Sequence, residues 1–146
     1  MTAPAYTWSF DCDLWGDRVP KVMTLEAVTN LLVKEGNLVK LTSGQIDVAT
    51  ASDDSLFGIA AETISVAATA GDPVRVYPIA EGMVIKGTAD ATAAALSGFN
   101  GKTVDITSAQ LLDPDAASGC LSVWRTEDSG LTVYCVITEF DMGCKN

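Results

Sequence analysis

Carboxylates are the residues of this chain with the clearest capacity for chemistry, because the sequence contains no histidine. Without an imidazole the usual general base at neutral pH is missing, and Ser-His-Asp and Cys-His constellations are excluded. The pairs Asp53-Asp54 and Asp113/Asp115 lie among turn-forming residues, so we interpret them as solvated turn residues. We therefore expect no catalytic residues and no enzyme activity. The alternative is a hydrolase with two carboxylates facing each other across a cleft, which sequence does not reveal.

A second group of carboxylates begins like a calcium-binding loop. Asp11 and Asp13 occupy the first and third positions of such a loop. The fifth position holds Trp15 in place of Asp or Asn, and the twelfth holds Val22 in place of the bidentate Glu. We therefore expect no metal at this place.

The four cysteines also lack the spacing of a metal site. Cys12, Cys120, Cys135 and Cys144 include no Cys-x-x-Cys pair, so zinc is not expected. Whether Cys12 and Cys144 form a disulfide after exposure to an oxidising medium is left undecided, because sequence does not establish connectivity. Residues 81–86 resemble a biotin-carrying hairpin only superficially, since the lysine is displaced by two residues. No phosphate-binding or dinucleotide motif is present, so we expect no cofactor.

The charge balance excludes several classes of partner. The chain has 146 residues, of which 19 are acidic and 9 are basic, and its net charge is −10. A nucleic-acid or anionic-membrane surface needs a basic face, so neither is an expected partner. The first twenty residues lack the basic and apolar regions of a secretory signal, and we expect synthesis in a cytoplasm.

The large side chains are concentrated near the N-terminus. Tyr6, Trp8, Phe10 and Trp15 are four of the ten aromatic residues, and the first three share one face if the chain is extended. We interpret residues 1–22 as an extended N-terminal arm whose four aromatics contact a neighbouring subunit. The alternative is that this segment is the first strand of its own domain.

The remaining chain reads as one β-rich domain, residues 23–146. Short alternating runs begin at Gly36 and are separated by turn residues such as Ser43-Gly44, and residues 24–34 fit a short helix or a strand. Alanine-rich residues 88–97 predict one short helix. The last two runs, 120–125 and 131–140, predict a hairpin with Val133, Cys135 and Ile137 facing the core. Eight or nine strands at this spacing indicate a mainly β fold, a small antiparallel β-barrel or β-sandwich.

The order of strands and turns in residues 35–87 resembles one known family. A Gly-led strand (36–41) and a strand at 45–49 are followed by a polar loop, a Gly-Ile-Ala strand (58–60) and a Gly-Asp turn into Val-x-Val (71–76). This order is similar to that of the small β-barrel decoration, or cement, proteins of tailed-bacteriophage capsids.

The resemblance implies a role and a set of partners. It implies a structural virion protein that binds the major capsid protein on the outer surface of a mature capsid and stabilises it. It further implies a homotrimer at three-fold positions, located in the virion after synthesis in the host cytoplasm. A rigid β body, an adhesive terminal segment and the absence of catalytic motifs suit that role.

Two other functions stay open. One is another virion component, such as a tail or neck protein. The other is a carbohydrate- or ligand-binding β module that uses Trp8, Trp15 or Trp124 as a stacking platform.

Overall fold

The chain is mainly β. Its structure, a computed structural model, describes residues 7–50, 56–90, 103–113, 121–127 and 131–137. Within these ranges there are eleven strands and no helix, and therefore no helix that could span a membrane. In chain order the strands are β1 (Ser9–Asp13), β2 (Met23–Glu26), β3 (Leu38–Thr42), β4 (Gln45–Val48), β5 (Gly58–Ala60), β6 (Pro73–Pro78), β7 (Met83–Ala89), β8 (Thr103–Ser108), β9 (Leu111–Asp113), β10 (Leu121–Glu127) and β11 (Thr132–Ile137).

The strands form two sheets. A six-stranded sheet has the order β1-β7-β11-β10-β8-β9, and a five-stranded sheet has the order β2-β6-β5-β3-β4. Neighbouring strands in both orders are antiparallel. Both sheets curl: β9 also pairs with the end of β7 in parallel, and Ala27 bridges to Ile46. These additional pairings involve only one or two residue pairs, so the fold is sandwich-like and not a closed barrel.

The apolar core consists of two clusters on opposite faces of the five-stranded sheet. In β3, Leu38 belongs to the cluster between the two sheets, whereas the next residue, Val39, belongs to the second cluster. Ile59 and Ala60 divide in the same way in β5. This division follows from the alternation of side chains along a strand. The five-stranded sheet is therefore covered on both faces.

Two local expectations are confirmed. β10 and β11 form the predicted antiparallel hairpin, from Leu121 opposite Ile137 to Glu127 opposite Thr132. Val133, Cys135 and Ile137 are buried in the cluster between the sheets, as their alternation predicted. The predicted turn after β3 also forms, with positive φ at Ser43 and Gly44, which matches a tight hairpin turn.

The expected short helices are not what the described residues form. The helix predicted over residues 88–97 is wrong at its start, because Thr88 and Ala89 complete β7 and pair with Leu111 and Leu112. Residues 91–97 lie outside the described ranges. Of the ambiguous residues 24–34, the first three belong to β2, whose pairing with β6 decides in favour of a strand.

Candidate functional site

The N-terminal segment enters the six-stranded sheet through β1. This strand pairs antiparallel with β7, with Ser9 opposite Lys86 and Phe10 opposite Ile85. Residues 9–13 are thus a strand of the chain's own domain, which was the alternative to a projecting arm. The pairing is shifted between Phe10 and Cys12, so β1 contains a bulge and its side chains change face there.

Trp8 is a core residue. Its side chain is 2% exposed and belongs to the cluster between the sheets. The indole lies against the backbone of Gly87, where an added Cβ would lie 2.4 Å from Cε3 of the ring. Phe10 is half-buried against the same cluster. Trp8 is therefore occupied within its own chain and offers almost no surface to another molecule.

The turn that follows β1 is organised by the carboxylate of Asp13. This carboxylate accepts hydrogen bonds from the backbone N–H groups of Trp15 and Arg18, both at 3.1 Å. It also accepts hydrogen bonds from Nε and Nη2 of the Arg18 side chain, at 2.7 and 2.8 Å. These contacts, the Arg18 side chain first, hold the pKa of Asp13 well below its usual range. The Asp13 carboxylate in turn raises the pKa of Arg18, so the ion pair persists across neutral pH.

Trp15 lies in this turn, and its side chain is 65% exposed. Its indole lies against Gly82, where a Cβ would approach the ring to 2.6 Å. The guanidinium of Arg18 sits 5.5 Å from the ring centroid, within cation–π range. Arg18 also donates to the carbonyl oxygen of Glu81 at 2.8 Å, and Leu14 N–H donates to Gly82 at the same distance. Trp15 is thus both exposed and held in place.

Residues 14–23, which we call the apolar segment, expose a series of large apolar side chains. Their relative exposures lie between 40% and 65%, and the residues are Leu14, Trp15, Val19, Val22 and Met23. The adjoining face of β6 adds Tyr77, which is 38% exposed. Single exposed apolar residues are common on proteins, but several in one segment indicate an interaction surface.

A groove of about 430 Å³ lies beside β1. We call it the β1 groove, and its lining includes Trp8, Phe10, Val19, Glu35, Tyr77 and Ile79. It therefore joins the six-stranded sheet, the apolar segment and the five-stranded sheet. Apolar groups dominate its lining, as is usual for binding sites.

The third tryptophan lies on the outer face of the six-stranded sheet. Trp124 is 56% exposed and sits where the register of β10 and β11 shifts. Next to it, the Arg125 guanidinium stacks 3.8 Å from the centre of the Tyr134 ring and pairs with Glu127 at 2.5 Å. Lys86 approaches the other part of this ring, at 5.7 Å from its centre. Cations therefore cover Tyr134, while Trp124 is left exposed.

The remaining candidate residues form no metal site within the part of the chain that the structure describes. Asp13 faces Arg18, and the described residues contain no group of three or more His, Cys, Asp or Glu that could hold a metal. Cys12 is an exposed thiol whose pKa is raised by desolvation and by the neighbouring Asp11. Cys135 is a buried thiol. Tyr6, Asp53, Asp54, Asp115, Cys120 and Cys144 lie outside the described ranges.

Sequence reasoning missed the partners that make this site. It considered Asp13 only as a position of a calcium-like loop, and it did not connect Asp13 with Arg18. Aspartate side chains often accept hydrogen bonds from backbone N–H groups a few residues later in a turn, and this local signal could have indicated that Asp13 organises the turn containing Arg18. Nothing local indicates that Gly82 and Tyr77 lie beside the same segment, since both are more than fifty residues away from it.

Comparison with known proteins adds no relative. No protein-family model matches this sequence, and a search of curated proteins found no match.

Proposed function

We propose that this protein is a structural component of a tailed-bacteriophage virion that binds the outer surface of the mature capsid and stabilises it. The observation that carries the proposal is the exposed Trp15, packed against Gly82 and Arg18, in the apolar segment of a β-rich body. The resemblance of residues 35–87 to decoration proteins supplies the capsid as the partner. By the same resemblance the protein occupies three-fold positions as a homotrimer.

We assign the attachment to a narrower set of residues than the whole N-terminal segment. Trp8 is buried and supports the body, whereas Phe10 is half-buried and keeps only part of its ring for a contact. Trp15 remains, with the exposed apolar residues that follow it. Tryptophan is among the residues that most often dominate interface energies.

Immobilisation of Trp15 favours tight binding. The Asp13–Arg18 ion pair and the contact with Gly82 hold the indole before any partner arrives. Ordering a side chain on binding costs about 0.5–1.5 kcal/mol, and a side chain already held avoids most of that cost. The net charge of −10 keeps the free protein soluble and favours a basic surface on the shell.

The test compares two exposed tryptophans. Purified wild-type protein, Trp15→Ala and Trp124→Ala are titrated against expanded heads of the encoding phage that lack this protein. We expect Trp15→Ala to weaken attachment by about 2–4 kcal/mol per subunit, as at an interface hot spot. Trp124→Ala, which removes a side chain of similar exposure, should bind like the wild type.

Three outcomes would count against the proposal. No binding of the wild type to these heads refutes capsid attachment. Equal binding of all three proteins removes Trp15 from the contact. A closed dimer with a large apolar two-fold interface, both free and on the particle, contradicts the homotrimer.

One observation favours a second function, that of a glycan-binding module. Trp124 presents its indole beside the polar groups of Arg125 and Glu127, and saccharides stack on such exposed rings. In this case glycan binding in an array is lost in Trp124→Ala and kept in Trp15→Ala. The two functions therefore predict opposite results for the same two variants.

A further inference from the structure

The β1 groove has an open strand edge along one side. β1 stands at the end of the six-stranded sheet and pairs only with β7 among the strands of the described chain. The backbone N–H of Trp8 points away from β7 and donates to the carbonyl oxygen of Gly36 at 2.8 Å. Because backbone groups alternate along a strand, the N–H and C=O of Phe10 point to this same side. An edge of this kind is a template for one more strand.

Apolar side chains form the walls of the β1 groove. Phe10, Val19 and Tyr77 line it, and each keeps part of its side chain exposed. An occupant that brings a large apolar side chain would therefore match these walls.

The charge of the groove selects among such occupants. Glu35 is the only charged residue that lines it, and the chain as a whole has a net charge of −10. A segment with basic residues beside its apolar side chain is attracted to this surface, whereas an acidic segment is repelled.

We propose that the β1 groove binds an extended segment of the capsid protein, which pairs with the free edge of β1. The segment places one large apolar side chain against Phe10, Val19 and Tyr77, and it carries Lys or Arg beside that side chain. Addition of a strand to an exposed edge is an established mode of peptide recognition. This inference rests on the proposed function, because the shell is taken as the source of the segment.

Photo-crosslinking tests the occupant directly. A benzoylphenylalanine is placed at Val19, on the rim of the groove, or at Val66, which is 80% exposed elsewhere on the surface. Both proteins are bound to expanded heads, irradiated and analysed by peptide mass spectrometry. We expect the Val19 probe to attach to one apolar segment of the capsid protein with adjacent basic residues, and the Val66 probe to give at least about ten-fold less of that product. Attachment to a second copy of this chain, to an acidic segment, or to nothing would overturn the inference.

A substitution outside the apolar segment separates this inference from the proposed function. Tyr77 lines the groove from β6, so Tyr77→Glu places a second negative charge there without changing residues 14–23. The matched control is Val66→Glu, and circular dichroism checks that both variants are folded. We expect Tyr77→Glu to weaken attachment to heads by about ten-fold or more while Val66→Glu binds normally.

The possible results distinguish the two proposals. If the wild type binds heads and Tyr77→Glu binds equally well, the groove inference fails and capsid attachment stands. If the wild type does not bind, both fail. An unfolded Tyr77→Glu variant leaves the crosslinking result at Val19 to decide.

Discussion

Trp8 and Trp15 are only seven residues apart and meet opposite environments. Both indoles lie against a glycine, Gly87 for Trp8 and Gly82 for Trp15. Trp8 is enclosed between two sheets, and Trp15 is held on the surface by a turn and an ion pair. The difference arises because the chain leaves the sheet at Asp13. A large aromatic can therefore serve the fold or a partner, depending on which side of that turn it lies.

The largest effect is expected from Trp8→Ala. Removing a fully buried aromatic side chain should lower the free energy of unfolding by about 3–5 kcal/mol. Trp15→Ala is the matched control and should change it by no more than about 0.5 kcal/mol, as is usual for surface positions. Urea unfolding of the two free variants measures both values. Similar losses in the two variants would contradict the assignment of one indole to the core and one to the surface.

Gly87→Ala should give the next largest effect. The new Cβ would meet the Trp8 ring at 2.4 Å, so the indole or β7 must move. Forcing extra atoms into a packed core costs about 1–3 kcal/mol. Adding Trp8→Ala to this variant provides the check, since Gly87→Ala should be much less harmful once the indole is gone. If Gly87→Ala lowers the free energy of unfolding equally with and without the Trp8 indole, the strain does not come from that ring.

A pair of glycine substitutions tests the support of Trp15. Gly82 and Gly44 both have positive φ, at 88° and 81°, so an alanine costs about 1 kcal/mol of backbone strain at either place. A Cβ at Gly82 also meets the Trp15 ring at 2.6 Å, whereas a Cβ at Gly44 meets nothing within 4 Å. We expect Gly82→Ala alone to shift the Trp15 fluorescence, measured in a Trp124→Phe background, and to weaken attachment to heads. Equal spectra for both variants would show that Gly82 does not hold the indole.

The smallest effect on stability is expected from Asp13→Asn, and its size depends on pH. Because the folded-state pKa of Asp13 is lowered, the ionised carboxylate stabilises the fold above its unfolded pKa of about 3.9. That contribution declines as the pH falls from about 4 towards the lower folded pKa. The stability difference between wild type and Asp13→Asn should therefore be constant from pH 5 to 7 and should narrow from pH 4 to 2. Chemical denaturation at each pH measures the difference, and a gap that widens in acid would refute the assigned role.

Part of the fold could be predicted because its signals are local. Alternation along β11 located Val133, Cys135 and Ile137 on the core face, and Ser43-Gly44 marked a hairpin turn. The alanine-rich residues after Thr88 misled the prediction for a definite reason. Ala89 favours a helix and Thr88 a strand, and their pairing with β11 and β9 determines that they extend β7.

The sequence by itself determined a mainly β chain, the absence of histidine chemistry, an acidic surface and a concentration of aromatics near the N-terminus. Only the tertiary structure decided which aromatics are available to a partner. β1 pairs with a strand more than seventy residues away, and this pairing buries Trp8 while Asp13 and Arg18 leave Trp15 exposed. Composition and alternation are properties of neighbouring residues, whereas the partner and register of an edge strand depend on contacts between distant ones.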